Sequence, residues 1–376
     1  MSAAEAVPDA HLPASGPTDD LPRLFASLTP YKRVLLAVSG GPDSTALMLL
    51  AQRWRAAIPK GPELFVATVD HGLRKEARIE AEAVARLAQH LGVPQTILTW
   101  PGALPAGGIQ EAARDARYEL LLGHARRIGA GAIATAHTCD DQAETVLFRL
   151  MRGSGLSGLA GIPARRDIGE MQLGEVHLVR PLLGVRKAEL IDLCRREGVA
   201  FAEDPSNHNP RFARTRLRAL LPLLAAEGLD APRLSRLASR VARAEAALEV
   251  ATDAAALDVC LSAGGERTPS QLRRALFTAL PEEIGLRLLG RAIESLAEGP
   301  VELAKLEALH GWIVALDKAA RGARTLAGTL VRVERDVVLV RLAPARKTIF
   351  GPIDTNLRVP GMKVSPRHLG KGAGGT

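Results

Sequence analysis

Cysteine and aromatic side chains are scarce in this chain. Three cysteines, Cys139, Cys194 and Cys260, lie far apart among 376 residues, and no Cys-x-x-Cys occurs. That spacing argues against a structural zinc site and against a redox dithiol, and a chain this long needs no disulfide staples. Aromatic residues make up 3% of the chain, too few for a surface that grips nucleic acid by extensive base stacking. No apolar stretch reaches the length of a membrane span. The opening MSAAEAVPDAHLPASGPTDD has no cationic start and no apolar core of the signal-peptide kind. The expectation is a soluble, cytoplasmic protein with no membrane partner, and a disordered polar tail over residues 1–24.

Apolar residues make up 47% of the chain, enough for more than one buried core, and the net charge is +8. A positive balance favours an anionic partner where the charge clusters. It clusters between Arg211 and Arg243, where eight arginines face only Glu227 and Asp230. A helical surface of this kind can follow nucleic-acid phosphates, although a solvated arginine-rich helix has the same composition.

From residue 33 to about 198, short apolar runs alternate with amphipathic stretches. Strands are expected at 34–38, 64–70, 95–98, 132–136 and 177–179. Helices are expected at 44–57, 76–91, 109–128, 141–152 and 186–197. This alternation predicts an α/β domain, a parallel sheet covered on both faces, with ligands beyond the carboxyl ends of its strands. After residue 211 the pattern turns helical, and helices are expected near 282–298 and 302–316. TLAGTLVRVERDVVLVRLA then reads as a hairpin with one buried face. The expected parts are a catalytic domain at 25–220, a helical region at 221–320 and a small α+β segment with a tail at 321–376.

The first expected strand ends in Ser39, Gly40, Gly41, Pro42, Asp43 and Ser44. A glycine loop between a buried strand and a helix makes an anion nest backed by a helix N-terminus. A Walker loop would carry a lysine here, and this one has none. Ser39 and Ser44 bring hydroxyls, and Asp43 is a candidate ligand for Mg²⁺. Asp70 and His71 close the second strand of the series. Arg114, Arg117 and Tyr118 fall on one side of a helix, which also fits a solvated basic face. His137 and Asp141 follow the fourth strand. Asp141 and Glu144 have the spacing of a capping box. Gly153, Ser154, Gly155 and Gly158 make a loop able to close over a substrate.

SGGPDS after a strand resembles the pyrophosphate loop of the N-type ATP pyrophosphatases, which cleave ATP between its α- and β-phosphates. SGGPDS, DHGLR, ARDARY, AHxxDDQxET, RGSG, RPLL and EDPSN, in this order, resemble the tRNA(Ile)-lysidine synthetase family over residues 33 to about 221. The resemblance implies a Rossmann-like fold of the adenine nucleotide alpha hydrolase type. It implies ATP and Mg²⁺ as cofactors, and L-lysine and the isoleucine tRNA with a CAU anticodon as substrates. ATP would adenylate the C2 oxygen of the wobble cytidine, and the ε-amine of lysine would displace AMP. On this likeness Asp43, His137, Asp141 and Arg214 are the catalytic candidates. Asp43 and Asp141 are the metal candidates. Asp70, His71, Arg114, Arg117 and Glu144 are the substrate-binding candidates. Whether Asp141 holds metal or takes the amine's proton stays open, and a homodimer is a further expectation. Two positions depart from the family pattern, Thr138 in place of a second histidine and Thr215 in place of an asparagine. A tRNA thiolase with the same loop, and a non-catalytic RNA-binding protein, are the alternative readings.

Overall fold

The computed structural model describes residues 20–70, 72, 75–100, 109–171, 174–202, 213–262, 268–297 and 299–344. The chain falls into two compact units, Met1–Ala255 and Ala256–Thr376. No helix among the described residues is long and apolar enough to cross a membrane.

The first unit opens with a single helical turn, α1 (Leu21–Leu24), and then alternates. Its elements are β1 (Arg33–Ala37), α2 (Pro42–Ala57), β2 (Glu63–Asp70), α3 (Lys75–His90), β3 (Gln95–Thr99), α4 (Ile109–Ile128) and β4 (Ala132–Ala134). They continue with α5 (Cys139–Met151), α6 (Leu156–Leu159), β5 (Arg165–Met171), β6 (Gly174–Val179), α7 (Lys187–Arg196), α8 (Ala213–Ala226) and α9 (Ala231–Val259). The six strands form one sheet in the order β3-β2-β1-β4-β6-β5. All neighbours run parallel except β5, which pairs antiparallel with β6 at the edge.

Burial on both faces explains why the central strands are apolar without interruption. Side chains alternate across a strand. Val34 and Leu36 of β1 therefore join the core formed with α2, α3 and α7, where Trp54 stacks on Phe25. Leu35 points the other way, into a core with Leu121 and Ala125 of α4. Strand β1 has β2 on one side and β4 on the other. The chain crosses over between them, so their carboxyl ends open a crevice where a ligand can sit.

Strand β5 is absent from the sequence reading. Its RRDIGEM carries charge at the sheet edge, where a strand needs only one paired side and charge blocks further pairing. The sheet is consequently mixed, with a parallel body and one antiparallel edge.

The second unit holds β7 (Cys260–Ser262), β8 (Ser270–Arg273), α10 (Arg274–Phe277), α11 (Glu282–Glu294), α12 (Leu303–Ala315), β9 (Gly322–Leu326), β10 (Thr329–Val333) and β11 (Val337–Leu342). Its strands form an antiparallel sheet in the order β7-β8-β11-β10-β9. The expected hairpin is thus the end of a three-strand meander. Its first strand, GARTL, is mostly solvent-facing and lacks the alternation of the other two. Ala327 (φ 47) and Gly328 (φ 78) make the two-residue turn between β9 and β10, with the positive φ pair that suits a twisted hairpin. Arg274 is buried beneath this sheet. Its guanidinium donates to the carbonyls of Leu316, Asp317, Lys318, Ala320 and Glu334 at 2.7–3.1 Å.

Candidate active site

The 39–44 loop leaves β1 at its carboxyl end and runs straight into α2. Gly40 sits at φ +90, a conformation that L side chains avoid, and its carbonyl accepts from Ala202 N at 2.9 Å. Gly41 is the N-cap and Pro42 the first helical residue, and no side chain caps the helix. The first-turn N–H groups of α2 therefore remain directed at the crevice, as anion binding requires. Ser44 is nearly buried, and its hydroxyl staples the loop. Ser44 Oγ accepts from Ser39 N at 3.1 Å and donates to Gly41 O at 3.0 Å. Ser39 Oγ lies 3.2 Å from Ser44 Oγ.

A cleft of about 450 Å³ lies over this loop, the size of a site for a nucleotide-sized ligand. Loop residues Ser39, Gly41, Pro42, Asp43 and Ser44 line it. His137 and Asp141 line it from the far side of β4, and Arg114 and Arg117 from α4. Arg114 lies over the ring of Tyr118, 5.6 Å from its centroid. Residues separated by a hundred positions in sequence thus meet at the ends of β1 and β4.

Asp43 is mostly buried. Its Oδ2 accepts from Lys187 Nζ at 2.8 Å. Its Oδ1 is buried and has no hydrogen-bond partner among the described residues. Burial pushes the Asp43 carboxyl above its ordinary range, and the Lys187 ammonium only partly offsets this. Asp141 and Asp140 add negative potential in the same place. An orphaned carboxylate oxygen beside a second carboxylate fits a hard divalent cation such as Mg²⁺, which takes oxygen ligands.

Asp141 is the third residue of α5, and its capping partner is Thr138. Asp141 Oδ2 accepts from Thr138 N at 2.8 Å and from Thr138 Oγ1 at 2.9 Å, while Asp141 N donates to Thr138 Oγ1 at 3.4 Å. The capping box expected between Asp141 and Glu144 is therefore one turn further towards the N-terminus. Thr138 is extended (φ −109, ψ 174), as an N-cap must be, whereas Glu144 is already inside the helix. His137 is oriented by Thr135, whose Oγ1 lies 2.9 Å from Nδ1.

Glu144 and Asp70 stand behind the cleft wall. Buried Glu144 pairs with Arg218 of α8, and it is Arg218 that lines the cleft. Asp70 is buried at the end of β2, where Oδ1 accepts from Gly72 N at 2.9 Å. His71, the EDPSN stretch at 203–207 and the side chain of Arg214 lie outside the described residues.

Lys187 and Arg218 are cleft residues that the sequence reading did not assign. Lys187 carried one local signal. It is the first residue of α7, where the helix dipole opposes a cation, so an ordinary helix would place an acid there. Asp140 offsets this by accepting from Lys187 N at 2.7 Å. Cys139 is buried, and its thiol is pushed up to about 11, chiefly by that burial. Burial of this kind disfavours the thiolate form that a sulfur carrier uses.

A glycine loop after the central strand, an uncapped helix N-terminus and facing carboxylates make the first unit a PP-loop nucleotide-binding domain. The family model for the PP-loop domain matches residues 18–224. A tRNA(Ile)-lysidine synthase from Bradyrhizobium sp. is 48% identical over 360 residues, covering 90% of this chain and 97% of that protein. Another, from Rhodopseudomonas palustris, is 51% identical over 337 residues, covering 86% and 94%. The chain belongs to the tRNA(Ile)-lysidine synthase family. Among solved structures, a U34-tRNA thiolase from Methanococcus maripaludis aligns with a TM-score of 0.47 at 17% identity, over 59% of this chain and 77% of that one.

Proposed function

We propose that this chain uses ATP to join L-lysine to C2 of the wobble cytidine of tRNA(Ile) with a CAU anticodon. The reading is carried by near-full-length likeness to tRNA(Ile)-lysidine synthases, set on a cleft with a pyrophosphate loop facing two carboxylates. In the first step the cytidine C2 oxygen attacks the α-phosphate of ATP, and pyrophosphate leaves. In the second, the ε-amine of lysine attacks C2, the C2–O bond breaks and AMP departs with that oxygen. The amine gives up its protons to base and solvent.

The 39–44 loop and the N-terminus of α2 hold the polyphosphate in this scheme. Asp43 and Asp141 would hold Mg²⁺, which neutralises charge as pyrophosphate departs. His137, held by Thr135, positions the phosphates or the target base. Arg114 and Arg117 present positive charge to the substrate from α4. Asp70, His71 and Glu144 support substrate binding, Glu144 through Arg218. Arg214 is assigned to the negative charge of the adenylation step on sequence grounds. A carboxylate such as Asp141 takes the proton of the attacking amine.

The tRNA body is assigned to α8 and α9. Arg236, Arg240 and Arg243 are exposed on α9 at helical spacing, which gathers them on one face. Contacts of this kind go to phosphates and weaken steeply as salt rises.

The test is an omission assay with purified protein, ATP, Mg²⁺, lysine and transcribed tRNA(Ile). Lysine incorporation accompanied by AMP and pyrophosphate release should require every component, and Asp43→Asn should abolish both. Turnover without lysine, or sulfur incorporation, would refute the reading, and wild-type-like turnover in Asp43→Asn would refute the role given to Asp43.

A further inference from the structure

The phosphate loop carries no lysine of its own, yet an ammonium lies beside it. Lys187 Nζ is 2.8 Å from Asp43 Oδ2, and its side chain remains 42% exposed at the cleft. Its backbone is fixed, because Lys187 N donates to Asp140 and Cys194 of the same helix donates to Pro42 O at 3.6 Å. Its side chain is free to re-aim, being a flexible stem with three donors. Asp43 is the carboxylate that a divalent cation needs, and its Oδ1 has no other partner among the described residues. An ammonium bound at Oδ2 and a dication on the same carboxylate repel one another at this range.

We propose that Lys187 is the loop's missing cation and works in two positions. In the nucleotide-free protein it neutralises Asp43. When ATP and its metal arrive, the dication takes over Asp43 and the Lys187 ammonium passes to the β- and γ-phosphates, the part that leaves as pyrophosphate. A lysine on α7 thereby does from outside the loop what a Walker lysine does from within. The inference rests on the adenylation reading above and adds a pyrophosphate-binding residue to it.

The test compares wild type with Lys187→Met and Lys187→Arg in equilibrium binding of ATP with Mg²⁺, inorganic pyrophosphate, and AMP. Lys187→Met should weaken ATP and pyrophosphate by roughly tenfold to a hundredfold, the value of one charge-assisted hydrogen bond. AMP, which lacks those phosphates, should bind within about twofold of wild type, and Lys187→Arg should retain most ATP affinity. Mn²⁺ binding to the nucleotide-free protein, read by electron paramagnetic resonance, should tighten in Lys187→Met because its competitor is gone. ATP affinity unchanged in Lys187→Met, or an equal loss for AMP, overturns the inference while leaving the adenylation reading standing. Wild-type protein that binds no ATP overturns both. Should Lys187→Met fold poorly, Lys187→Gln carries the same expectations.

Discussion

Thr138→Val isolates the structural use of Asp141 from its chemical one. Valine keeps the shape of threonine and removes only the hydroxyl. Three contacts join the two residues, and the one from Thr138 N to Asp141 Oδ2, at 2.8 Å, survives the change. The hydroxyl bond to Oδ2 at 2.9 Å is lost, and so is the 3.4 Å contact from Asp141 N. The second is at the far end of hydrogen-bond range and contributes little. The first ends on a carboxylate, and Thr138 is 1% exposed, so water does not replace it. N-cap replacements cost about 0.5–2 kcal/mol, and burial places this one near 1.5 kcal/mol. Urea denaturation of the first unit should show that loss, and hydrogen exchange should quicken in the first turn of α5. Asp141→Asn keeps an acceptor for Thr138 N and should stay within about 1 kcal/mol of wild type while losing activity. If Thr138→Val is as stable as wild type, with unchanged exchange, the hydroxyl does not hold Asp141 and the capping account is wrong.

Two further expectations concern the second unit. Arg274→Met strands five carbonyls around a buried site and should cost about 3 kcal/mol or more, seen as early unfolding of this unit by calorimetry. His310 is buried edge-on against Phe277, and burial lowers its pKa below the ordinary 6.5, with Glu282 opposing weakly. The unfolded chain therefore binds the proton more readily. His310's contribution to stability is complete above 6.5 and is lost as pH falls through the depressed folded value. His310→Gln should remove that loss, so variant and wild type should converge or cross on acidification. Parallel curves from about pH 7.5 to 5 would contradict it.

Legibility in the sequence followed locality. Strands β1, β2 and β4 were readable because burial on two faces leaves continuous apolar runs. The 39–44 loop was readable because its glycines, proline and serine do their work within one turn of chain. Strand β5 was hidden because an edge strand tolerates charge. Spacing alone does not tell the capping box Thr138–Asp141 from the pair Asp141–Glu144 one turn later, and only the extended backbone of Thr138 separates them. The partners in the pairs Lys187 with Asp43, 144 residues apart, and Arg218 with Glu144, 74 apart, cannot be named from local sequence, although the place of Lys187 at the start of α7 is itself unusual. They exist because the sheet order brings α7 beside α2 and α8 beside α5.

That long reach has a consequence for the order of synthesis. The loop leaves the ribosome early, but its supports arrive late. Lys187 reaches Asp43 across 144 residues, Cys194 reaches Pro42 O across 152, and Ala202 N closes on Gly40 O. Sheet formation must also wait for β4 to pair with β1 and β6 with β4, and such non-local pairing is slow. A nascent chain that ends before α7 holds the phosphate loop without its neutralising ammonium or its backbone tie. The described supports of the loop are therefore complete only once the chain has been made through Ala202.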